Sequence, residues 1–297
     1  MYGWLVVNHF LRPEKFDLLY SWLESAAEKR GHRLVRLTNA QAMFTITNGK
    51  FQPNLSLEYE PNPDYVIFWD KDVGLARMLE SRGLRLFNKA ESIAVCDDKS
   101  LTHICLANKG IRMPKTIIAP MTFSNIGYND YSFLETITNE IDFPIVVKEC
   151  HGSFGQQVYL AKDKEQLIGI VRNIDHKPML FQELISSSWG KDIRINVVGG
   201  KPVASMLRYS DSDFRSNISN GGRMQDYKPT EAQLDLAIKA CEALSLDFAG
   251  VDILFGENDQ PILCEVNSGP QFKSTYDCTG VNVADFIIDH ISREMRR

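Results

Sequence analysis

The chain has 297 residues, of which 44% are hydrophobic and 24% charged, and its formal net charge is -5. This is the composition of an ordinary globular protein with about two or three subdomains. No apolar run approaches the roughly 20 residues that span a bilayer, and the negative charge gives no reason to expect nucleic acid. The cysteines lack a C-x-x-C pair and the N-terminus lacks a basic signal-peptide start. We therefore expect reduced thiols and a cytoplasmic location, with no membrane or nucleic-acid partner.

Residues 1–94 are predicted to form an N-terminal domain with an open parallel α/β sheet. Strand patterns at GWLVVN, HRLVRLT, DYVIFWD and LRLFN alternate with amphipathic helical patterns, which favours parallel pairing. The first helix is expected to begin at Pro13 and end before Gly31, and a loop is expected between the second and third strands. No G-x-G-x-x-G follows the first strand. This domain is therefore expected to support or bind a substrate rather than a nicotinamide cofactor.

A lysine precedes a glycine-rich turn in the next part of the chain. After two helical patterns that break at Asp97-Asp98, the strand FPIVVKEC contains Lys148 near its end and leads into HGSFGQQVYL. Backbone N–H groups of such a turn and a nearby ammonium group can approach the same phosphates. Strands flank the turn and G-x-x-x-x-G-K-[ST] is missing, so it is not a Walker A loop. A glycine–serine hairpin beside a surface lysine is the alternative.

The strand KPMLFQELI becomes polar at its end, at Gln182 and Glu183, and runs into SSSWGKDIR. Such a strand is able to line an adenine pocket, with Glu183 or Asp192 reaching the amine or the ribose hydroxyls. A strand that emerges into solvent is the alternative. A hairpin that turns at Gly199-Gly200 follows, and then a flexible loop carries Arg215 and Asn217.

Near the C-terminus, AGVDILFGENDQ and PILCEVNSGP have the pattern of a β-hairpin. Folding it brings Asp252 roughly opposite Glu265, and Asn267 lies on the same face of its strand as Glu265. Oxygen ligands without His or Cys suit a hard cation such as Mg²⁺. A one-residue slip in register would turn Asp252 away. An edge strand with solvated polar residues is the alternative.

In chain order, VVKECHGSFGQQV, FQELI, KDIRINVVGG, DFRSNISNGG, AGVDIL and EVNSGP resemble the RimK-like branch of the ATP-grasp ligases. The resemblance covers roughly residues 88–290. It implies an α/β protein with the ATP-grasp fold, in which two α+β subdomains, residues 95–184 and 185–297, sandwich ATP. It also implies an ATP-dependent ligase that joins a carboxylate to an amine through an acylphosphate. The expected cofactors are ATP and Mg²⁺, with Mn²⁺ as an alternative metal, and the expected assembly is a homodimer or homotetramer.

The resemblance assigns roles to particular positions. The implied nucleotide contacts are the phosphate lysines Lys99 and Lys148, the loop residues Gly152, Ser153, Phe154 and Gly155, the adenine edge Gln182, Glu183, Leu184 and Ile185, the ribose-side Asp192, and the phosphate segment Arg215, Ser216 and Asn217. The implied metal ligands are Asp252, Glu265 and Asn267. The predicted catalytic residues are Arg194, Arg208, Arg215 and Asn217. Arg194 and Arg208 are expected to bind acyl or phosphoryl oxygens, with surface arginines in solvent-exposed pairs as the alternative.

After EVN the chain departs from the RimK-like pattern and reads SGPQFKSTYDCTGV, which is similar to the LysX-type lysine-biosynthesis ligases. Phe272, Lys273 and Thr279 are therefore predicted to discriminate the substrate. A cation at Lys273 favours a glutamate-like substrate, whereas a surface pair with Asp277 is the alternative. We expect an amino acid to be joined to a peptide, protein or small carboxylate acceptor, with help from the N-terminal domain. The alternatives are crosslinking of a ribosomal precursor peptide and a non-catalytic nucleotide-binding module, which the intact site residues disfavour.

Overall fold

The computed structural model describes residues 1–11, 14–53, 62–218 and 221–297. The predicted helix start at Pro13 and residues 219–220 of the DFRSNISNGG motif lie outside these ranges. Across the described ranges, no helix combines the length and the apolar character that crossing a membrane requires.

The first sheet is parallel, as predicted, with the strand order β2-β1-β5-β6. Its helix α1 is amphipathic, because Phe16, Leu19 and Leu23 recur at helical spacing and are all buried. The segment predicted as a loop contains a short antiparallel hairpin, β3-β4. In chain order these elements are β1 (Tyr2–Val7), α1 (Glu14–Glu28), β2 (Arg33–Thr38), β3 (Phe44–Thr47), β4 (Lys50–Pro53), β5 (Tyr65–Trp69), α2 (Val73–Ser81) and β6 (Leu86–Phe87).

The second sheet is antiparallel, with the order β7-β10-β8-β9. The predicted helix break is present because Asp98 has an extended backbone and caps the following helix, accepting a hydrogen bond from the Ser100 amide at 2.8 Å. These elements are α3 (Ala90–Asp97), α4 (Lys99–Leu106), β7 (Thr116–Ile118), α5 (Phe133–Glu140), β8 (Ile145–Glu149), β9 (Val158–Ala161), α6 (Lys164–Ile174) and β10 (Met179–Glu183).

The third sheet is antiparallel, with the order β13-β12-β11-β14-β15. The predicted hairpin turn is present, and Gly199 and Gly200 both adopt the positive φ that such a tight turn requires. These elements are β11 (Lys191–Val198), β12 (Lys201–Tyr209), β13 (Arg223–Asp226), α7 (Glu231–Ala243), β14 (Phe248–Phe255), β15 (Pro261–Asn267), α8 (Lys273–Thr279) and α9 (Val283–Glu294).

The two ends of the chain share one hydrophobic core. Helix α9 packs beside α1, and Ile287 is buried in the same cluster as Leu5 and Trp69 of the first sheet. At the edge of this interface, Arg30 forms ion pairs with Asp285 and Asp289. The first sheet is therefore not an isolated unit. The boundaries at 94/95 and 184/185 stay predictions.

Phe272 lies at the centre of this shared core, with no exposed surface. Its ring stacks on Trp22 at 6.1 Å and meets the edge of Trp69 at 5.8 Å between centroids. The residue was predicted to contact substrate, but a side chain with no exposed surface has a packing role instead.

We predict that Phe272→Ala lowers the free energy of unfolding by about 3–5 kcal/mol, because it leaves a cavity in the core. Urea denaturation measures this directly. The matched control is Phe286→Ala, since Phe286 is 41% exposed and should cost much less. Equal losses for the two variants would contradict the packing role.

Candidate active site

A cavity of about 890 Å³, measured to its open mouth, lies between the second and third sheets. Every residue predicted to contact the nucleotide lines it. The structure therefore brings together positions that the chain spreads from Lys99 to Asn217.

Two lysines enter this cavity from different elements. Lys148 lies on β8 and is largely buried, with its Nζ 3.9 Å from the sulfur of Cys264. Lys99 lies at the first position of α4, and its Nζ is 3.4 Å from the Gly152 carbonyl oxygen and 3.9 Å from Glu265 Oε1. Both lysines line the same cavity, where their ammonium groups suit anionic oxygens.

Cys264 is a wall residue that sequence reasoning missed. In the β14–β15 pairing, Asp252 lies opposite Glu265 while Ile253 lies opposite Leu263, so Cys264 is the extra residue of a β-bulge. A bulge disturbs the strict alternation of side chains, which allows Cys264 and Glu265 to line the same cavity. Burial raises the pKa of the Cys264 thiol to about 11, so the thiol stays protonated near neutral pH.

The glycine-rich loop has a backbone that few residues tolerate. Gly152 has φ +151°, and a Cβ there would lie 2.4 Å from Gln157 Oε1. The far end of the loop is held by Arg215, which donates to the Gly155 carbonyl at 2.7 Å and pairs with Asp213 at 2.7 Å. Arg215 thus anchors the loop, while its predicted contact with phosphate stays a prediction.

The predicted adenine edge is built from strand β10. Gln182 is buried, and its Nε2 lies 2.8 Å from both Thr116 Oγ1 and His103 Nε2. Burial lowers the pKa of His103, which favours the neutral ring as the acceptor. The Gln182 amide nitrogen is therefore hydrogen-bonded within the protein, and these bonds hold β10 in position. Val146 and Leu254 add apolar walls that sequence reasoning did not identify.

The predicted metal ligands share one face of the third sheet. Asp252 lies opposite Glu265, so the hairpin register that the sequence left open is the favourable one, and all three predicted ligands line a second cavity. Within the described ranges the buried Nδ2 of Asn267 has no hydrogen-bond partner, so no such bond fixes the orientation of its amide toward a ligand. Among the described residues, no group of three or more His, Cys, Asp or Glu side chains is arranged to hold a metal. Carboxylate and amide oxygens in this position nevertheless fit a hard cation that keeps several waters.

A buried ion-pair cluster supports this site. Asp252 accepts from both Arg194, with Nη2 at 2.8 Å, and Arg208, with Nη2 at 3.0 Å. Asp192 completes the cluster through two hydrogen bonds from Arg208, at 2.7 and 2.6 Å. Both arginines are buried, so the alternative of solvent-exposed surface pairs is wrong. Asp192 lines the first cavity, but Arg208 already engages both of its carboxylate oxygens.

In this cluster, Asp252 and Arg208 each stabilise the charged form of the other. Burial by itself would raise the pKa of Asp252, but the guanidinium groups of Arg194 and Arg208 outweigh it and hold the pKa below its ordinary value. Burial likewise opposes the charge on Arg208, yet Asp192 and Asp252 raise its pKa further. Asp252 and Arg208 therefore remain charged within the cluster.

The second cavity, of about 2160 Å³ to its open mouth, extends from this cluster to the first sheet. The carboxyl edge of that sheet contributes Asn8, Trp69, Asp70 and Lys71 to its wall. The carboxyl edge of a parallel sheet is the usual ligand-binding edge, so the position of Asp70 directly after β5 was a usable sequence signal that we missed. Burial raises the pKa of Asp70, although hydrogen bonds from the Lys71 amide and Asn8 oppose this.

The three predicted substrate residues have different positions. Lys273 lines the second cavity, but it also forms the alternative ion pair with Asp277. Thr279 donates to the Thr275 carbonyl within α8, and neither Thr279 nor Phe272 is among the residues that line the two cavities. Only Lys273 is therefore placed to meet a substrate.

Comparison with known proteins identifies the class. The RimK-like ATP-grasp domain family matches residues 96–291. The human N-acetylaspartylglutamate synthase A is 36% identical over 262 residues, which cover 88% of this chain and 63% of the human protein. The probable alpha-L-glutamate ligase of Psychromonas ingrahamii is 31% identical over 292 residues, covering 92% of this chain and 91% of that protein.

The solved structures agree with this match. A RimK domain ATP-grasp protein from Sphaerobacter thermophilus superposes with a TM-score of 0.74 at 21% identity, covering 98% of this chain and 99% of that one. The predicted ATP-grasp fold is confirmed. The chain belongs to the RimK-like ATP-grasp family, and it spans about two thirds of the length of the human relative.

We predict that the stabilising effect of Asp252 is lost in acid. Its pKa is lowered in the folded state, so its contribution is complete above the ordinary value of 3.8 and declines as the pH falls toward the folded value. Asp252→Asn should lower the free energy of unfolding by about 3–5 kcal/mol at pH 7, because it leaves the buried Arg194 without its charged partner and removes one of the two carboxylates that pair with Arg208.

Denaturation of wild type and variant between pH 7 and pH 3 measures this effect, and the difference between them should narrow below pH 4. The exposed Glu257→Gln serves as the control for a carboxylate outside the cluster. A difference that stayed constant over the whole range would exclude the charged pairing of Asp252.

Proposed function

We propose that this chain is an ATP-dependent carboxylate–amine ligase, with ATP in the first cavity and the substrates in the second. The observation that carries the proposal is the wall that the two cavities share. Asp252, Glu265, Arg208 and Asn217 line both cavities. A phosphate group at the inner end of the first cavity would therefore meet a carboxylate in the second.

The shared wall suits the formation of an acylphosphate. A substrate carboxylate oxygen attacks the γ-phosphorus of ATP and ADP leaves; an amine then attacks the acyl carbon and phosphate leaves, which gives the amide. The carboxylate and ATP, which react in the first step, are both anions. Catalysis therefore consists mainly of positioning them and neutralising their charge. Lys99 and Lys148 supply cations from two elements, α4 and β8. The chemistry needs no protein nucleophile, in agreement with the protonated Cys264.

Mg²⁺, or Mn²⁺ as an alternative, would be held by Glu265 and Asn267, with Asp252 behind them. When bound, such a cation neutralises charge on the phosphate oxygens. Glu265 is the carboxylate best placed for this, since 31% of its side chain is exposed and Lys99, the cation that pairs with it among the described residues, lies 3.9 Å away. Asp252 is instead held by two arginines.

The substrate class that we propose is an amino acid of the glutamate type, joined to an amino-acid, peptide or protein partner. Two observations support it. The human relative is named as a synthase of N-acetylaspartylglutamate, and the Psychromonas ingrahamii relative is named as a probable alpha-L-glutamate ligase, so both names refer to glutamate. The second cavity also presents two lysines to an acidic ligand, Lys15 and Lys273, the second of which also pairs with Asp277. Cytoplasmic location and a homo-oligomer stay predictions.

Phosphate release from ATP tests the proposed activity. The purified protein is incubated with Mg²⁺, ATP and glutamate, together with other amino acids or short peptides, and the amide product is identified by its mass. We predict that Glu265→Gln abolishes phosphate release while the unfolding curve is unchanged, because Glu265 lies at the cavity surface. Full ATP-dependent activity in this variant would overturn the role of Glu265, and no stimulation of phosphate release by any substrate pair would contradict the ligase.

We predict that Lys148→Met weakens ATP binding about 10- to 150-fold. Methionine keeps much of the buried stem but removes a charge-assisted hydrogen bond, which is worth roughly 1.5–3 kcal/mol. Titration calorimetry measures the affinity. Lys177→Met is the matched control, because Lys177 pairs with the neighbouring Glu149 at 3.1 Å and does not line the cavity. Unchanged affinity in Lys148→Met would remove Lys148 from the phosphate site.

A further inference from the structure

The tip of the glycine-rich loop contacts the N-terminal part of the chain. The Phe154 ring meets Phe16 of α1 with 6.5 Å between centroids, and the Lys15 ammonium lies 4.5 Å above the Phe154 ring centroid. Next to it, Lys71 donates from Nζ to Ser153 Oγ at 3.2 Å. Two adjacent loop residues are thus docked on two separate segments of the first sheet and its helix.

The base of the loop is connected to Lys71 through Asp97. Lys71 Nζ is 2.5 Å from Asp97 Oδ1, and the other oxygen of Asp97 is 3.5 Å from Nδ1 of His151, the residue before the loop. Asp97 is the last residue of α3, and Lys71 follows the carboxyl end of β5. Lys71 therefore connects the edge of the first sheet, the end of α3 and the loop tip.

The loop conformation itself points to a functional constraint. Phe154 has φ +61°, a left-handed backbone that is uncommon for a bulky residue and costs free energy. Glycine would occupy this conformation without that cost, so a phenylalanine must be compensated by contacts of its side chain. The docking of the ring on Lys15 and Phe16 is such a contact.

This docking places the loop between the two reactants. Ser153, Phe154 and Gln157 line both the nucleotide cavity and the substrate cavity. A loop that leaves α1 and Lys71 would open both cavities to solvent at the wall they share. Water would then compete with the substrate carboxylate for the γ-phosphorus, and ATP and water would give ADP and phosphate without an amide.

We propose that Lys71 and Phe154 are positioning residues, through which the N-terminal domain holds the phosphate-covering loop closed during ligation. Phe154 contributes its ring to the docking on α1, while the loop backbone faces the nucleotide cavity. Lys71 sets the position of Ser153 and is itself oriented by Asp97. The part of the inference that concerns ATP rests on the proposed function, whereas the docking of the loop does not.

Hydrogen exchange on the whole protein tests the docking. We expect Lys71→Ala and Phe154→Ala each to raise the exchange rate of amides in residues 152–157 by about three- to tenfold, since single contacts of this kind shift local opening by that order. The matched control is Lys29→Ala, which removes the same charge from an exposed position just after α1. A double-mutant cycle of Lys71→Ala with Ser153→Ala should show that the two effects are not additive.

Kinetics distinguishes positioning from a purely structural effect. With Mg²⁺-ATP and glutamate, both variants should release more phosphate per amide formed than wild type, while their unfolding midpoints stay near that of Lys29→Ala. Unchanged loop exchange in both variants would overturn the proposal, as would additive effects in the cycle. If wild type failed to bind ATP, the ligase function would be wrong, and exchange in the nucleotide-free protein would still decide whether the loop is docked.

Discussion

The buried cluster of Arg194, Asp252, Arg208 and Asp192 is the interaction on which the rest of the site depends. A buried carboxylate without a partner would lose its charge. A buried arginine without a partner would strongly destabilise the folded state. Because the groups neutralise one another, β11, β12 and β14 are locked in one register. Glu265 is left outside this cluster, so its carboxylate remains available at the wall between the two cavities.

The different environments of the Asp252 and Glu265 carboxylates follow from one β-bulge in the third sheet. Asp252 and Glu265 lie opposite each other, but the bulge at Cys264 follows immediately and disturbs the side-chain alternation of β15. One carboxylate is consequently buried among arginines, and the other is partly exposed beside Lys99. Similar residues thus acquire different environments, which suits one for support and the other for direct contact with a cation.

The first sheet and α1 contribute to the candidate site in two ways. The carboxyl edge of the sheet forms a wall of the second cavity, and Lys15, Phe16 and Lys71 contact the glycine-rich loop. The shared core with α9 holds these elements in place, because Trp69 at the sheet edge packs on Phe248 and Phe272 from the C-terminal part of the chain. The position of the second cavity relative to the first therefore depends on contacts between the two ends of the chain.

The sequence by itself determined the parallel first sheet, the β11–β12 and β14–β15 hairpins and many of the residues that line the first cavity, because periodicity, turn residues and ordered motifs are local signals. Tertiary structure decided the register that pairs Asp252 with Glu265, the burial of Phe272, the pairing of Asp192 with Arg208, and the entry of Asp70 and Cys264 into cavity walls. These depend on contacts between residues far apart in the chain and on a bulge, and no local pattern reports either. The side chain of Phe272 looks like a binding residue in sequence, but packing against Trp22 and Trp69 makes it part of the core.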